Sequence, residues 1–212
     1  GETREAVFSM NLTSPVAAEV WVLTEVLSTD AYVLTSSGSS YGFEAGDGGF
    51  RVFDVVDTNG VMTLSVPSQN VWQHGIPFTQ PWSAHAGQKV WDTNLLGEYP
   101  NSMDQGLLSP PMRFNPTAFA NLSFYHYLVS EECCDWGRVL VTTDGVNFRM
   151  VKPVDGYYRG IIGGNNIVRE PSDRYSGTLV SWREARFDLS AFAGPTTQTL
   201  QLLFLFHSDG SV

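Results

Sequence analysis

The densest group of side chains able to do chemistry in this sequence is Glu131-Glu132-Cys133-Cys134-Asp135, three carboxylates around the chain's two cysteines. Paired carboxylates can serve as acid and base in glycoside hydrolysis, but that reaction needs a set separation across a cleft, which adjacency along a chain does not supply. A solvated loop, or a cation site using Asp135, suits these residue types better than catalysis. Cys133 and Cys134 could close a vicinal disulfide. The Cα separation across one peptide lies below the range of ordinary disulfides, so the expectation placed first is two thiols at a strand end, one pointing in and one out.

Elsewhere the motifs that announce an enzyme are absent: no His-Glu-x-x-His for zinc, no Gly-x-Ser-x-Gly elbow, no phosphate-binding or dinucleotide glycine loop. His74, His85, His126 and His207 are scattered without metal-ligand spacing and read as packing or hydrogen-bonding residues. No catalytic residue is assigned, and no peptidase or esterase activity is expected. Trp72, Trp82, Trp91, Trp136, Tyr157 and Tyr158 could stack on sugar faces if exposed, although Trp91 is expected to pack inside a strand.

The elements that must position these groups are strands. Arg51 to Asp57 and Val61 to Val66 flank Asn59-Gly60, a dipeptide that supplies the positive φ of a tight hairpin. Val139 to Thr143 meets Asp144-Gly145 in the same way, with Asn147-Phe148 starting the return strand. Leu122, Phe124, His126 and Leu128 form an apolar stripe, as do Leu200, Leu202 and Phe204. The best helical candidate, Ser190 to Ala193, is short enough to be one turn. Ala6 to Leu12, Glu19 to Leu23 and Ala31 to Leu34 read as short strands, and Thr35-Ser-Ser-Gly-Ser-Ser40 as a flexible linker. Residues 1–40 are therefore either the tail of a preceding β-sandwich or extra strands on the domain that follows.

Composition limits the partners. Acidic residues outnumber basic ones by 22 to 12, for a formal charge of −10, and no Lys/Arg cluster exists to bind nucleic acid or an anionic membrane. No apolar run approaches the ~18 residues of a membrane span, so no membrane insertion is expected. An apolar fraction of 42% can fill a core, and the low charged fraction of 16% with 20 glycines suits an extracellular β-protein. The chain lacks both an initiator Met and a signal-peptide pattern, and reads as a mature product or a portion of something longer.

Several short motifs succeed one another in a telling order: Phe43-Glu-Ala-Gly-Asp-Gly-Gly-Phe50, Val71-Trp-Gln-His-Gly-Ile-Pro77, Lys89 to Tyr99, Leu107-Leu-Ser-Pro110, Leu122-Ser-Phe-Tyr-His126, Asp135-Trp-Gly-Arg-Val139, Thr143-Asp-Gly145, Arg186-Phe-Asp-Leu-Ser190 and Phe204-Leu-Phe-His-Ser-Asp209. From Tyr41 to Val212 this succession resembles the MAM-like β-jelly-roll accessory domain of secreted bacterial immune inhibitor A-type peptidases, and more distantly the cleaved-adhesin domains of surface proteases. The resemblance implies an all-β, two-sheet antiparallel jelly-roll sandwich of the MAM/concanavalin type, with extra N-terminal strands. Its core is expected to hold Leu122, Phe124, Val139, Val141, Phe187, Leu202 and Phe204.

The resemblance also implies a structural Ca²⁺ where early and late segments meet. By position Glu44 and Asp47 match the opening element and Asp209 matches the Ser-Asp element. Asp47 and Asp209 also precede Gly48 and Gly210, as turn residues would. Family members continue beyond the Ser-Asp element into a closing strand of Gly-Trp-Tyr-Ile-Asp-Asp type, which this chain lacks, and an unpaired sheet edge is the expected consequence. Three function classes follow. The first is a non-catalytic extracellular or cell-surface module for adhesion, binding protein or glycan as an accessory part of a larger protein such as a secreted peptidase. The second is a structural subunit that self-assembles by pairing strands at an open edge, and the third is a jelly-roll polysaccharide hydrolase.

Overall fold

A computed structural model of the protein describes residues 18–27, 32–59, 61–113, 119–160, 167–168, 173–179, 181–193 and 199–210. Its strands are Ala18–Leu27 (β1), Tyr32–Tyr41 (β2), Arg51–Thr58 (β3), Val61–Ser65 (β4), Gln73–Gly75 (β5), Val90–Asp92 (β6), Met103–Leu108 (β7), Met112–Arg113 (β8), Phe119–His126 (β9), Trp136–Thr142 (β10), Arg149–Met150 (β11), Arg159–Gly160 (β12), Ile167–Val168 (β13), Ser176–Gly177 (β14), Arg183–Asp188 (β15) and Thr199–Ser208 (β16). One 3-10 turn, Ser190–Phe192, stands where the single helical turn was expected. The protein is an all-β sandwich, as its sequence predicts. A four-stranded sheet runs β15-β9-β1-β2, and a seven-stranded sheet runs β11-β10-β16-β7-β3-β4 with β8 attached to β16.

The alternation of apolar residues explains the packing. Leu122 and Phe124 of β9 and Phe187 of β15 face Val139 and Val141 of β10 and Leu202 of β16 in one buried cluster, with Phe204 packed against it half-buried. Each fully buried Leu or Phe there contributes about 1.5–3 kcal/mol by leaving water. One expectation needs correction, because β16 is apolar on both faces. Leu203 and Leu205 point away from the first cluster and join Val55 and Leu140 in a second one, covered by Met62, Leu64 and Trp136. β3 and β4 supply that cover by curling the sheet over its own outer face. Asn59 takes φ 56° between β3 and β4, the turn its dipeptide predicts. Asp144 closes the β10–β11 turn by accepting the N–H groups of Val146 (2.9 Å) and Asn147 (2.7 Å).

Two further differences concern the ends. Thr35 to Ser40 is not a linker: it lies within β2, where Thr35 pairs with Thr24 and Ser40 with Glu19. Ladder hydrogen bonds use the backbone alone, so a serine-rich segment can serve as an outer strand. β1 in turn pairs with β9, from Ala18 opposite Phe124 to Leu23 opposite Phe119. The expected strand at Ala6 to Leu12 lies outside the described residues. At the other end β16 is interior, paired with β10 on one side and β7 on the other, so the last described strand offers no open edge.

Candidate functional site

Strand register assembles the principal site. Trp136 at the start of β10 pairs with His207 near the end of β16. Asp135 and Asp209 sit just beyond that pair, one before β10 and one after β16, and are therefore neighbours despite 74 residues of separation. The Asp209 N–H donates to Asp135 Oδ1 at 2.8 Å, and the Tyr99 hydroxyl donates to Asp135 Oδ2 at 2.6 Å. The same Tyr99 oxygen accepts the Glu131 N–H at 3.2 Å. Burial, reinforced by Asp135, pushes the Tyr99 hydroxyl well above its ordinary range, so it stays a donor.

Carboxylate oxygens of Glu131, Asp135 and Asp209 lie within 4.8 Å of one another, and Asp135 is completely buried. Glu131 Oε2 is buried with no hydrogen-bond partner. Three like charges this close repel unless a proton or cation intervenes, and a buried acceptor without a donor carries its full desolvation cost. Oxygen donors of this kind suit a hard cation such as Ca²⁺. The residues present thus fit the group that the family resemblance implies, but through a different trio. Asp135, expected as a weaker second site, is the fully buried member of this trio.

The ligands assigned by position are divided. Glu44 lies in the loop between β2 and β3, and its Oε1 accepts the N–H groups of Gln88 (2.9 Å) and Lys89 (2.8 Å). Those donors hold its carboxyl below the usual carboxylate range. Gly87, at φ +70°, allows this approach, since a Cβ there would stand 2.5 Å from Glu44 Oε1. Asp47 accepts the Gly49 N–H at 2.8 Å, the turn role its Gly neighbour suggests. Neither joins Asp209 in a metal-competent trio among the described residues. What could have found Glu131 was the pairing of β10 with β16, which no motif in the sequence encodes.

Cys133 and Cys134 are joined in a vicinal disulfide, with Cα atoms 3.7 Å apart, which corrects the expectation of two thiols. Their sulfurs also stand near a Glu131 oxygen. Bonded to each other, they are no thiolate ligands, and soft-metal chemistry loses its donors. Glu132 turns away to an ion pair with Arg159 at 3.4 Å.

A second feature is a cavity of 690 Å³, whose lining includes Trp72, Trp82, Trp91, Asp92, His126 and Trp182. The His126 ring packs against Tyr158 and Tyr175, with Nε2 bonded to the Tyr158 hydroxyl and Nδ1 without a partner. Burial pushes His126 down to about 4, so it is neutral at physiological pH. This is the core histidine that its stripe predicts. Asp92 shows the opposite effect: burial pushes its carboxyl up to about 6. Of the aromatic residues weighed as sugar platforms, Tyr157 and Tyr158 are buried in the core. Trp136 is covered by the Arg138 guanidinium 4.2 Å above its ring and by His207. Trp82 is exposed at 69%.

No helix among the described residues is long and apolar enough to cross a membrane. No family model matches the sequence. The chain is similar to bacillopeptidase F of Bacillus subtilis (strain 168), at 28% identity over 192 residues that cover 88% of this chain and 11% of that protein. The chain thus spans about a tenth of the length of this curated relative, and most of it aligns to a minor region of a peptidase.

Proposed function

We propose that this chain is a non-catalytic module of a larger extracellular or cell-surface protein, an accessory part that recognises a partner through its cavity. The observation that carries this reading is the extent of the similarity: nearly the whole chain matches a small fraction of a peptidase. The side-chain chemistry supports it. Asp135, the most buried carboxylate among the described residues, is tied to Tyr99 and to the Asp209 backbone. Glu131 lies beside it and Glu132 is paired with Arg159, so two of these three carboxylates are committed to contacts of their own. The Cys133–Cys134 bond suits an oxidising, extracellular compartment.

Within this reading Glu131, Asp135 and Asp209 hold a structural Ca²⁺. When bound, the ion supplies positive charge that offsets three converging carboxylates. Its effect falls on the loop before β10 and the segment after β16, which Asp135 already links through the Asp209 N–H. The experiment is to assay the isolated chain for peptidase, esterase and polysaccharide turnover alongside binding to a glycan array and to surface proteins. Binding without turnover is expected. Turnover abolished by substitution of Glu131, Glu132 or Asp135 would replace this reading with the hydrolase.

A further inference from the structure

Three tryptophans in the cavity lining are held by their indole N–H groups: Trp72 donates to the Gln105 carbonyl at 3.3 Å, Trp91 to Asp47 O at 3.2 Å and Trp182 to Ser83 O at 3.3 Å. Such anchoring orients the rings before any ligand arrives, and pre-organised aromatic faces attract cations. Asp92 lines the same space, and no cationic side chain is paired with it among the described residues. The two basic residues of the lining are committed elsewhere. Lys89 Nζ donates to Glu44 O at 2.8 Å, and Arg138 is bonded to Asp173. With Glu98 and Glu131 also in the lining, three acids stand there against two basic side chains, in a chain whose formal charge is −10.

Segments next to the lining add a second observation. Ile76, Phe78 and Trp82, in the loop between β5 and β6, and Leu96, after β6, are 46%, 65%, 69% and 74% exposed; Trp82 itself lines the cavity, and the Phe78 N–H bonds Leu95 O at 2.9 Å, which joins the two segments. Exposed apolar side chains on two joined segments mark a contact surface larger than a single small ion would need. We infer that the cavity binds a polypeptide partner by a lysine or arginine side chain flanked by apolar residues. Asp92 is its counter-ion, the tryptophan rings are its walls, and Phe78, Trp82 and Leu96 meet the flanking residues. This rests on the reading of the chain as a binding module and names its partner's chemistry.

A random heptapeptide phage library selected on the whole immobilised chain tests the inference, with Asp92→Asn and Trp82→Ala selected in parallel. Enriched peptides are expected to carry Lys or Arg beside an aliphatic or aromatic residue. A synthetic enriched peptide should bind Asp92→Asn about tenfold more weakly and Trp82→Ala about threefold more weakly. Melting curves establish that each variant is folded, and Trp82, being exposed, is the safer of the two. No enrichment, enrichment without basic residues, or affinity unchanged in both folded variants overturns the inference. If the chain then still binds glycans or surface proteins, the binding-module reading stands without it. If the chain binds nothing and turns over a substrate, both fall.

Discussion

Two groups of acids in this protein meet opposite fates. Glu44 and Asp47 lie close together in sequence and are satisfied by backbone N–H groups of nearby loops. Glu131, Asp135 and Asp209 come from opposite ends of paired strands, and one of their oxygens is buried without a donor. Glu44 and Asp47 are saturated by loop amides, Asp47 by one two residues on and Glu44 by a pair 44 and 45 residues away, whereas the acids brought together by strand pairing crowd one another. A cation has more to offer the second group. Of the three acids assigned by position, only Asp209 belongs to the crowded group among the described residues.

The sharpest way to break this contrast is Asp135→Ala. It strands the Tyr99 hydroxyl and the Asp209 N–H in a buried site, and should cost about 3 kcal/mol or more, read as a lower denaturation midpoint. A cost below about 1 kcal/mol would make the cluster peripheral.

Calcium should come next. At a hundredfold excess over its Kd it should stabilise the folded chain by about 2.7 kcal/mol, and chelation should remove that gain. Asp209→Asn should abolish the response and Glu44→Gln should preserve it. A response lost in Glu44→Gln and kept in Asp209→Asn would restore the positional assignment.

Asp92 offers a smaller effect of opposite sign. Its folded pKa of about 6 exceeds the ordinary value of 3.8, so the folded state binds the proton more tightly and the ionised form is penalised at neutral pH. Asp92→Asn should therefore raise the melting temperature at about pH 7.5, with most of the gain gone at about pH 4. An equal gain at both pH values would attribute the effect to packing instead of charge.

Glu44→Gln should be the mildest change. The depressed pKa of Glu44 means that its contribution is present above the ordinary value of 4.5 and lost as pH falls through the lower folded value. The variant should melt slightly lower at neutral pH and like the parent in acid. No difference at either pH would show its two amide bonds to be replaceable by water.

Much of the fold was legible from local pattern. The period-two stripes of β9 and β16 named much of the main core because a half-buried strand must alternate, and Asn59-Gly60 and Asp144-Gly145 marked turns because few dipeptides accept that backbone. His126 was legible as a core residue from its place on the β9 stripe. Leu203 and Leu205 were not, since their burial depends on a sheet curling over its own outer face. The strand role of Thr35 to Ser40 was hidden as well, because ladder bonding leaves no mark on side-chain composition.

Sequence alone thus determined an all-β protein with a named core, an acidic surface and no catalytic motif, since periodicity, charge and turn chemistry are local properties. Tertiary structure decided which acids meet, that the adjacent cysteines are bonded, and that an uncompensated carboxylate lies among anchored indoles. The meeting of the acids depends on register between strands distant in sequence, where a shift of one residue would turn every side chain to the other face.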